Sequence, residues 1–208
     1  MTTASPQQVR CPAPGFDGVR TAGPADAAAL YALSEPFMRS GALRRRSPGL
    51  YGATAAQFFV AEDAEGVMEG CVALRLHPGD VRAGGVHADG VHAGDVRTGD
   101  GAPGTLPAVL HNFCVRPDRQ RRGVGSRLLA ALLADAAARS VTEVFAATTG
   151  GGESFVRAGF RETEAARAPR AWAAALDPAR GSRIFSRPVA LTSQPRPDRH
   201  CRASIQTR

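Results

Sequence analysis

Hydrophobic and polar positions alternate with changing period along this chain, and each change marks an element. After Gly23-Pro24-Ala25-Asp26, the apolar residues Ala29, Leu30, Leu33, Phe37 and Met38 recur at helical spacing. Pro36 falls inside that pattern and is expected to kink or end the helix. Gly18-Val19-Arg20 ahead of it reads as a short strand, and a second short helix follows the basic stretch Leu43 to Tyr51. Residues 57–62 (QFFVAE) and 70–76 (GCVALRL) read as two strands of an antiparallel hairpin, with a turn around Glu65-Gly66. Residues 108–115 form a further strand. Residues 123–140 form the strongest helix, with Val124, Leu128, Leu129, Leu132 and Leu133 on its apolar side. A strand over 143–149, short helices over 153–158 and 170–176, and a last strand over 182–191 complete the pattern. Pro188 restricts that last strand to an edge position or to its own end there.

Strands interleaved with helices over residues 18–191 predict one α/β domain, and 43% hydrophobic content is enough to fill its core. Three stretches break the pattern. Residues 1–17 and 192–208 are polar, contain proline and are expected to be disordered tails. Residues 78–107 include GDVRAGGVHADGVHAGDVRTGDG, an imperfect Gly, Asp, Val, Arg and His repeat that reads as a low-complexity loop insertion. His87 and His92 recur with aspartates there, but the units are irregular, so no metal site is expected.

Composition narrows the picture further. All 26 basic residues are arginine and the net charge is +7. The arginines are spread along the chain, aromatics are 6% and no nucleic-acid motif accompanies them, so nucleic acid is not an expected partner. Cys11, Cys71, Cys114 and Cys201 lack C-x-x-C spacing, which points to neither zinc nor a disulfide framework. With no apolar leader and no stretch of membrane-spanning length, a soluble cytoplasmic protein without membrane partners is expected.

The chemistry concentrates in residues 113–129, FCVRPDRQRRGVGSRLL. A short apolar run breaks at Pro117, passes through polar and basic residues and enters the strong helix at Gly123 to Ser126. A strand, a basic glycine-containing loop and a helix N-terminus in that order form a phosphate cradle, because the first helical N–H groups have no partner within the helix. Gln120-Arg121-Arg122-Gly123-Val124-Gly125 reads Q-x-x-G-x-G; G-x-G-x-x-G and a P-loop are both absent.

This loop in this context resembles the GCN5-related N-acetyltransferases (GNAT). The resemblance implies a mixed, mainly antiparallel sheet with helices on both faces and a splayed central strand pair. It also implies that Gln120, Arg121, Arg122, Gly123, Val124, Gly125 and Ser126 hold the pyrophosphate of acetyl-CoA, and that backbone groups of Phe113, Cys114 and Val115 pair with the pantetheine arm. Acetyl-CoA is then a co-substrate and no metal is called for. A backbone N–H near the thioester would stabilise the tetrahedral oxyanion of acyl transfer.

Two further stretches resemble the acetyltransferase domain of N-acetylglutamate synthases: Gly41 to Ser47 (GALRRRS) and Arg180 to Phe185 (RGSRIF), with residues 144–160 (VFAATTGGGESFVRAGF) fitting between them without a gap. By that match Arg45, Arg46, Arg180 and Ser182 bind substrate carboxylates, which suits guanidinium forks and a hydroxyl. The implied reaction is acetylation of an amino-acid α-amine, glutamate favoured, as in arginine biosynthesis, by a chain free to form a homodimer. Val109 stands where relatives often carry a glutamate base; His111, on the same strand face, is the candidate base instead. Phe155 stands where many acetyltransferases have a tyrosine that protonates the leaving thiolate. Nothing resembling the arginine-sensing amino-acid-kinase domain is expected before Val19. Another small amine, an amino-acid-like antimetabolite, or a non-catalytic acyl-CoA-binding module are the alternatives.

Overall fold

A computed structural model describes residues 18–78 and 105–190. Both expected tails, most of the insertion with His87 and His92, and Cys11 and Cys201 lie outside the described residues. The elements run β1 (Val19–Thr21), α1 (Ala27–Arg39), α2 (Pro48–Thr54), β2 (Phe58–Glu62), β3 (Met68–Leu76), β4 (Pro107–Val115), α3 (Val124–Ala138), β5 (Glu143–Thr148), α4 (Glu153–Arg157), β6 (Arg161–Thr163), α5 (Arg170–Ala174) and β7 (Arg183–Pro188). The strands form one sheet in the order β1-β2-β3-β4-β5-β7-β6. Every neighbouring pair is antiparallel except β4 and β5.

Each face of the sheet is closed by helices whose apolar stripes the sequence spells out. Leu128, Leu129 and Leu132 of α3 pack on Val72, Leu74, Leu110 and Val144. On the opposite face Leu30 of α1 and Tyr51 of α2 pack on Phe58, Val60, Cys71 and Ala73. Alternation along β3 accounts for this division, since Val72 and Leu74 point one way and Cys71 and Ala73 the other.

Three local expectations change. Pro36 does not end α1, which continues to Arg39. Proline there deprives only the Ala32 carbonyl of its partner, and Ala32 lies on the exposed side while Leu30, Ser34 and Met38 anchor the other. The insertion ends earlier than residue 107, because Pro107 opens β4 opposite Glu143 and its carbonyl accepts the His77 N–H at 2.9 Å. β6, absent from the sequence reading, is three largely exposed residues, too short to show alternation, and its pairing with Ile184 to Ser186 makes β7 an interior strand. Pro188 accordingly marks the end of β7.

Two irregularities in β4 position the site. Parallel pairing with β5 covers only Pro107 to Val109 against Glu143 to Phe145, yet β4 continues along β3 to Val115 and β5 along β7 to Thr148. The central strands therefore splay into a wedge beyond Val109. Within it, β3 advances two residues from Cys71 to Ala73 while β4 advances three from Cys114 to His111, a bulge at Asn112 (φ +53°). Asparagine tolerates this left-handed backbone better than most residues. Its side chain is held at both ends, accepting from the Tyr51 hydroxyl at 3.2 Å and donating to Ser34 Oγ at 2.8 Å.

Candidate active site

A groove and a cavity open beside the splayed strands. The groove, about 330 Å³, runs from the end of β4 to the first turn of α3 and is lined by Phe113, Cys114, Val115, Gln120, Arg121, Gly123, Gly125 and Ser126, joined by Ser154 and Arg157. Gly123 caps α3 at φ +82°, and Arg121 is also left-handed at φ +60°. The N–H groups of Val124, Gly125 and Ser126 precede the first intrahelical bond, from Arg127 N–H to the Gly123 carbonyl at 3.0 Å, and are open to a ligand. A Cβ at Gly125 would stand 3.1 Å from Phe113 Cζ, a tight contact, so glycine lets the helix approach the strand closely here.

The loop is anchored from behind. Gln120 Nε2 donates to the Val115 carbonyl at 3.2 Å. The buried carboxylate of Glu69 pairs with Arg119 at 3.5 Å and Arg127 at 3.1 Å, and Asp63 takes Arg119 at 3.4 Å. Those arginines are thereby neutralised. Arg121 and Arg157 have no ion pair among the described residues, and no carboxylate lines the groove. Of the residues predicted here, Val124 contributes backbone only, its side chain being buried in the core, and Arg122 is exposed outside the lining. Arg157 is a lining residue the sequence reading missed; its place in the short helix before Gly159-Phe160 was the available signal.

The cavity is larger, about 750 Å³, and lies on the α1 and α2 side of the wedge. Its wall holds Arg44, Arg46, Arg75 and Arg180 with Ser182, Thr148, Gln57 and His111, and no Asp or Glu among the described residues. Arg46, Arg180, Ser182 and His111 thus line one cavity. Arg45 does not: it is exposed and outside the lining, which receives its neighbours Arg44 and Arg46. Arg180 Nη2 donates to the carbonyls of Gly41 at 2.7 Å and Ala42 at 3.3 Å, while Arg44 donates to the Ala175 carbonyl. These bonds strap the 41–44 segment to α5 and the turn after it.

Burial and then the nearby charges of Arg44 and Arg75 lower the proton affinity of Arg46. Burial, followed by Arg46, Arg75 and His77, pushes the His111 imidazole down to about 3. Its Nδ1 is buried without a hydrogen-bond partner, and its ring meets Phe58 edge-on at 5.9 Å. So weak a base is neutral throughout the physiological range, which tempers the expectation that His111 removes a proton from the amine. Phe155 is buried against Phe113, Phe160 and Phe185 with ring centroids 5.5 to 5.8 Å away and can offer no proton. Cys71 and Cys114 are free thiols 3.5 Å apart across β3 and β4; contact with Cys114 and burial push the Cys71 thiol well up, so it is inert as a nucleophile. Among the described residues no cluster of three or more His, Cys, Asp or Glu could hold a metal, and no helix is long and apolar enough to cross a membrane.

Comparison with known proteins adds independent findings. Residues 54–162 match the acetyltransferase (GNAT) domain. Among solved structures, N-acetylglutamate synthase from Neisseria gonorrhoeae, complexed with coenzyme A and N-acetyl-glutamate, aligns with a TM-score of 0.64 and 25% identity over 83% of this chain. The chain spans only 35% of that protein's length. Rv2747 from Mycobacterium tuberculosis, solved with CoA, aligns at 0.59 and 18% identity, covering 83% of this chain and 99% of its own. The ribosomal-protein-S18-alanine N-acetyltransferase of Escherichia coli aligns at 0.52 and 16%, covering 83% and 93%; these last two identities speak to the fold alone. No curated protein matches.

Proposed function

We propose that this chain, which belongs to the GNAT acetyltransferase family, is an acyltransferase that moves an acetyl group from acetyl-CoA to the α-amine of an acidic amino acid, L-glutamate favoured. The observation that carries the substrate is the cavity walled by Arg44, Arg46, Arg75 and Arg180, with no Asp or Glu among the described residues that line it. A cavity of one charge sign selects its opposite, and guanidinium forks suit carboxylates.

The groove fits a CoA pyrophosphate by its own features: open helix N–H groups, Arg121 and Arg157 with no ion pair among the described residues, and a glycine where a Cβ would crowd Phe113. Acetyl-CoA would supply the activated thioester. In this reading Gln120, Gly123, Gly125 and Ser126 with Arg121 hold the phosphates, and the unpaired edge of β4 from Phe113 to Val115 aligns the acyl arm along the wedge. Arg46, Arg180 and Ser182 orient the amino acid so that its nitrogen faces the wedge. The nitrogen attacks as the free amine, having lost its proton to solvent. His111 accepts a hydrogen bond from it, and a bound dicarboxylate offsets Arg46 and Arg75 and so raises the affinity of His111 for that proton. As the carbon–nitrogen bond forms and the carbon–sulfur bond breaks, the nitrogen sheds its second proton through His111 to solvent and solvent protonates the thiolate, since Phe155 cannot. The reaction belongs to amino-acid metabolism in the cytoplasm, with arginine biosynthesis as the pathway this product serves.

Purified protein given acetyl-CoA with glutamate, glutamine, methionine or spermidine, and followed by thiol release, tests this. Turnover is expected with glutamate and, more weakly, with other amino acids; turnover with spermidine alone contradicts the substrate class.

A further inference from the structure

The four cavity arginines are not equivalent. Arg44 and Arg180 donate to backbone carbonyls and hold two segments together. Arg46 and Arg75 differ: among the described residues neither guanidinium has an ion pair or a side-chain hydrogen bond, although both line the same cavity. They are near enough for each charge to act on the other and for both to act on His111. Arg75 reaches the cavity because it continues the Cys71, Ala73 alternation of β3 and stands opposite Val109 of β4. Arg75 is exposed and Arg46 half-buried, so neither charge requires a counter-ion, but two adjacent guanidinium groups with no protein partner among the described residues present forks for an anion beyond the single α-carboxylate that every amino acid brings.

Resting on the acidic-amino-acid reading above, we infer that Arg75 is the specificity-determining residue of the amine site. It takes the side-chain acid group of the substrate beside Arg46 and makes the enzyme prefer a dicarboxylic amino acid to its amide. The α-carboxylate is left to the remaining donors of Arg180 and to Ser182.

The test uses Arg75→Gln and Arg75→Lys in the whole chain. Calorimetric titration of the CoA-loaded protein with glutarate, a dicarboxylate without an amine, and with its monoamide glutaramate reads binding without chemistry. Arg75→Gln should weaken glutarate about 30-fold, the worth of a charge-assisted hydrogen bond, and leave glutaramate within about threefold. Acetyl-CoA affinity should stay unchanged. Arg75→Lys, which keeps the charge but not the fork, should fall between wild type and Arg75→Gln, and it reports the same preference if the glutamine variant fails to bind acetyl-CoA. Equal losses for both ligands, an unchanged glutarate affinity, or no glutarate binding by wild type would each overturn the inference. The two readings fail separately. Selective glutarate binding without acetylation of any amine removes the proposed reaction and keeps Arg75 as a dicarboxylate contact. Glutamate turnover with an undiminished glutamate-over-glutamine preference in Arg75→Gln does the reverse.

Discussion

The groove at the head of α3 and the cavity between α2 and α5 are both cationic, yet they are built by opposite means. The groove is mostly backbone: one strand end, one loop and one helix turn, contiguous from Phe113 to Ser126, with arginine only at its rim. The cavity is mostly side chain and draws on the 41–46 segment, β3, β4, β5, α5 and the turn before β7. A contiguous backbone cradle can be carried by a short motif and serves a ligand part that never changes. A cavity assembled from distant side chains can be retuned one residue at a time, as a site for a variable ligand needs.

Breaking the groove should give the largest effect. Gly125→Glu places a side chain 3.1 Å or less from Phe113 and a negative charge among the open N–H groups, and should weaken acetyl-CoA about 100-fold or more, roughly 3 kcal/mol. Calorimetry with acetyl-CoA checks it; an unchanged affinity would remove the phosphate assignment. Breaking the cavity should be smaller and selective. Arg46→Ala is expected to raise the KM for glutamate about 30-fold, with the KM for acetyl-CoA unmoved, if the carboxylate is held by a charge-assisted bond. Parallel rises in both constants would mean the two sites are not separable as described.

Acid stability sharpens the contrast, because the described lining of the groove holds no histidine or carboxylate. His111 binds its proton near pH 3 when folded, against about 6.5 unfolded, so the unfolded chain takes up the proton first on acidification. Stability conferred by the neutral folded imidazole is intact above pH 6.5 and is lost as pH falls toward 3, at about 1 kcal/mol per pH unit. His111→Gln should flatten that slope in urea melts taken between pH 7 and 4.5; an identical slope would show that His111 does not report on the cavity. The smallest effect is expected one residue from the largest cavity effect. Arg45→Ala should leave the glutamate KM within about twofold, since an exposed guanidinium outside the wall has little to lose.

The same division explains what could be read in advance. The hydrophobic periods located α1, α3 and most of the sheet because Leu128, Leu129 and Leu132 or Cys71 and Ala73 are placed by local spacing alone. Most of the groove was legible for the same reason, since Phe113 to Ser126 are neighbours in sequence, whereas Arg157 comes from α4 and was missed. Arg45, rather than Arg44, was expected in the cavity because a run of three arginines does not state which way an extended segment faces. Arg75 carried a usable signal, an arginine where the inward-facing alternation of a buried strand continues, but its meaning depends on Arg46 lying across the cavity. The low proton affinity of His111 was not legible at all, since it arises from burial and from cations brought together only by the fold. Pro36 misled because its cost depends on whether Ala32 is exposed, a tertiary property.

The central claim, a constant cofactor groove beside an arginine cavity that selects acidity, is tested most directly by competition. Equal concentrations of glutamate and glutamine with limiting acetyl-CoA give two N-acetylated products whose ratio, read by mass spectrometry, equals the ratio of the two kcat/KM values. The account predicts an excess of N-acetylglutamate of about 30-fold, the discrimination one charge-assisted hydrogen bond provides. A ratio near one, or an excess of the amide product, would contradict it.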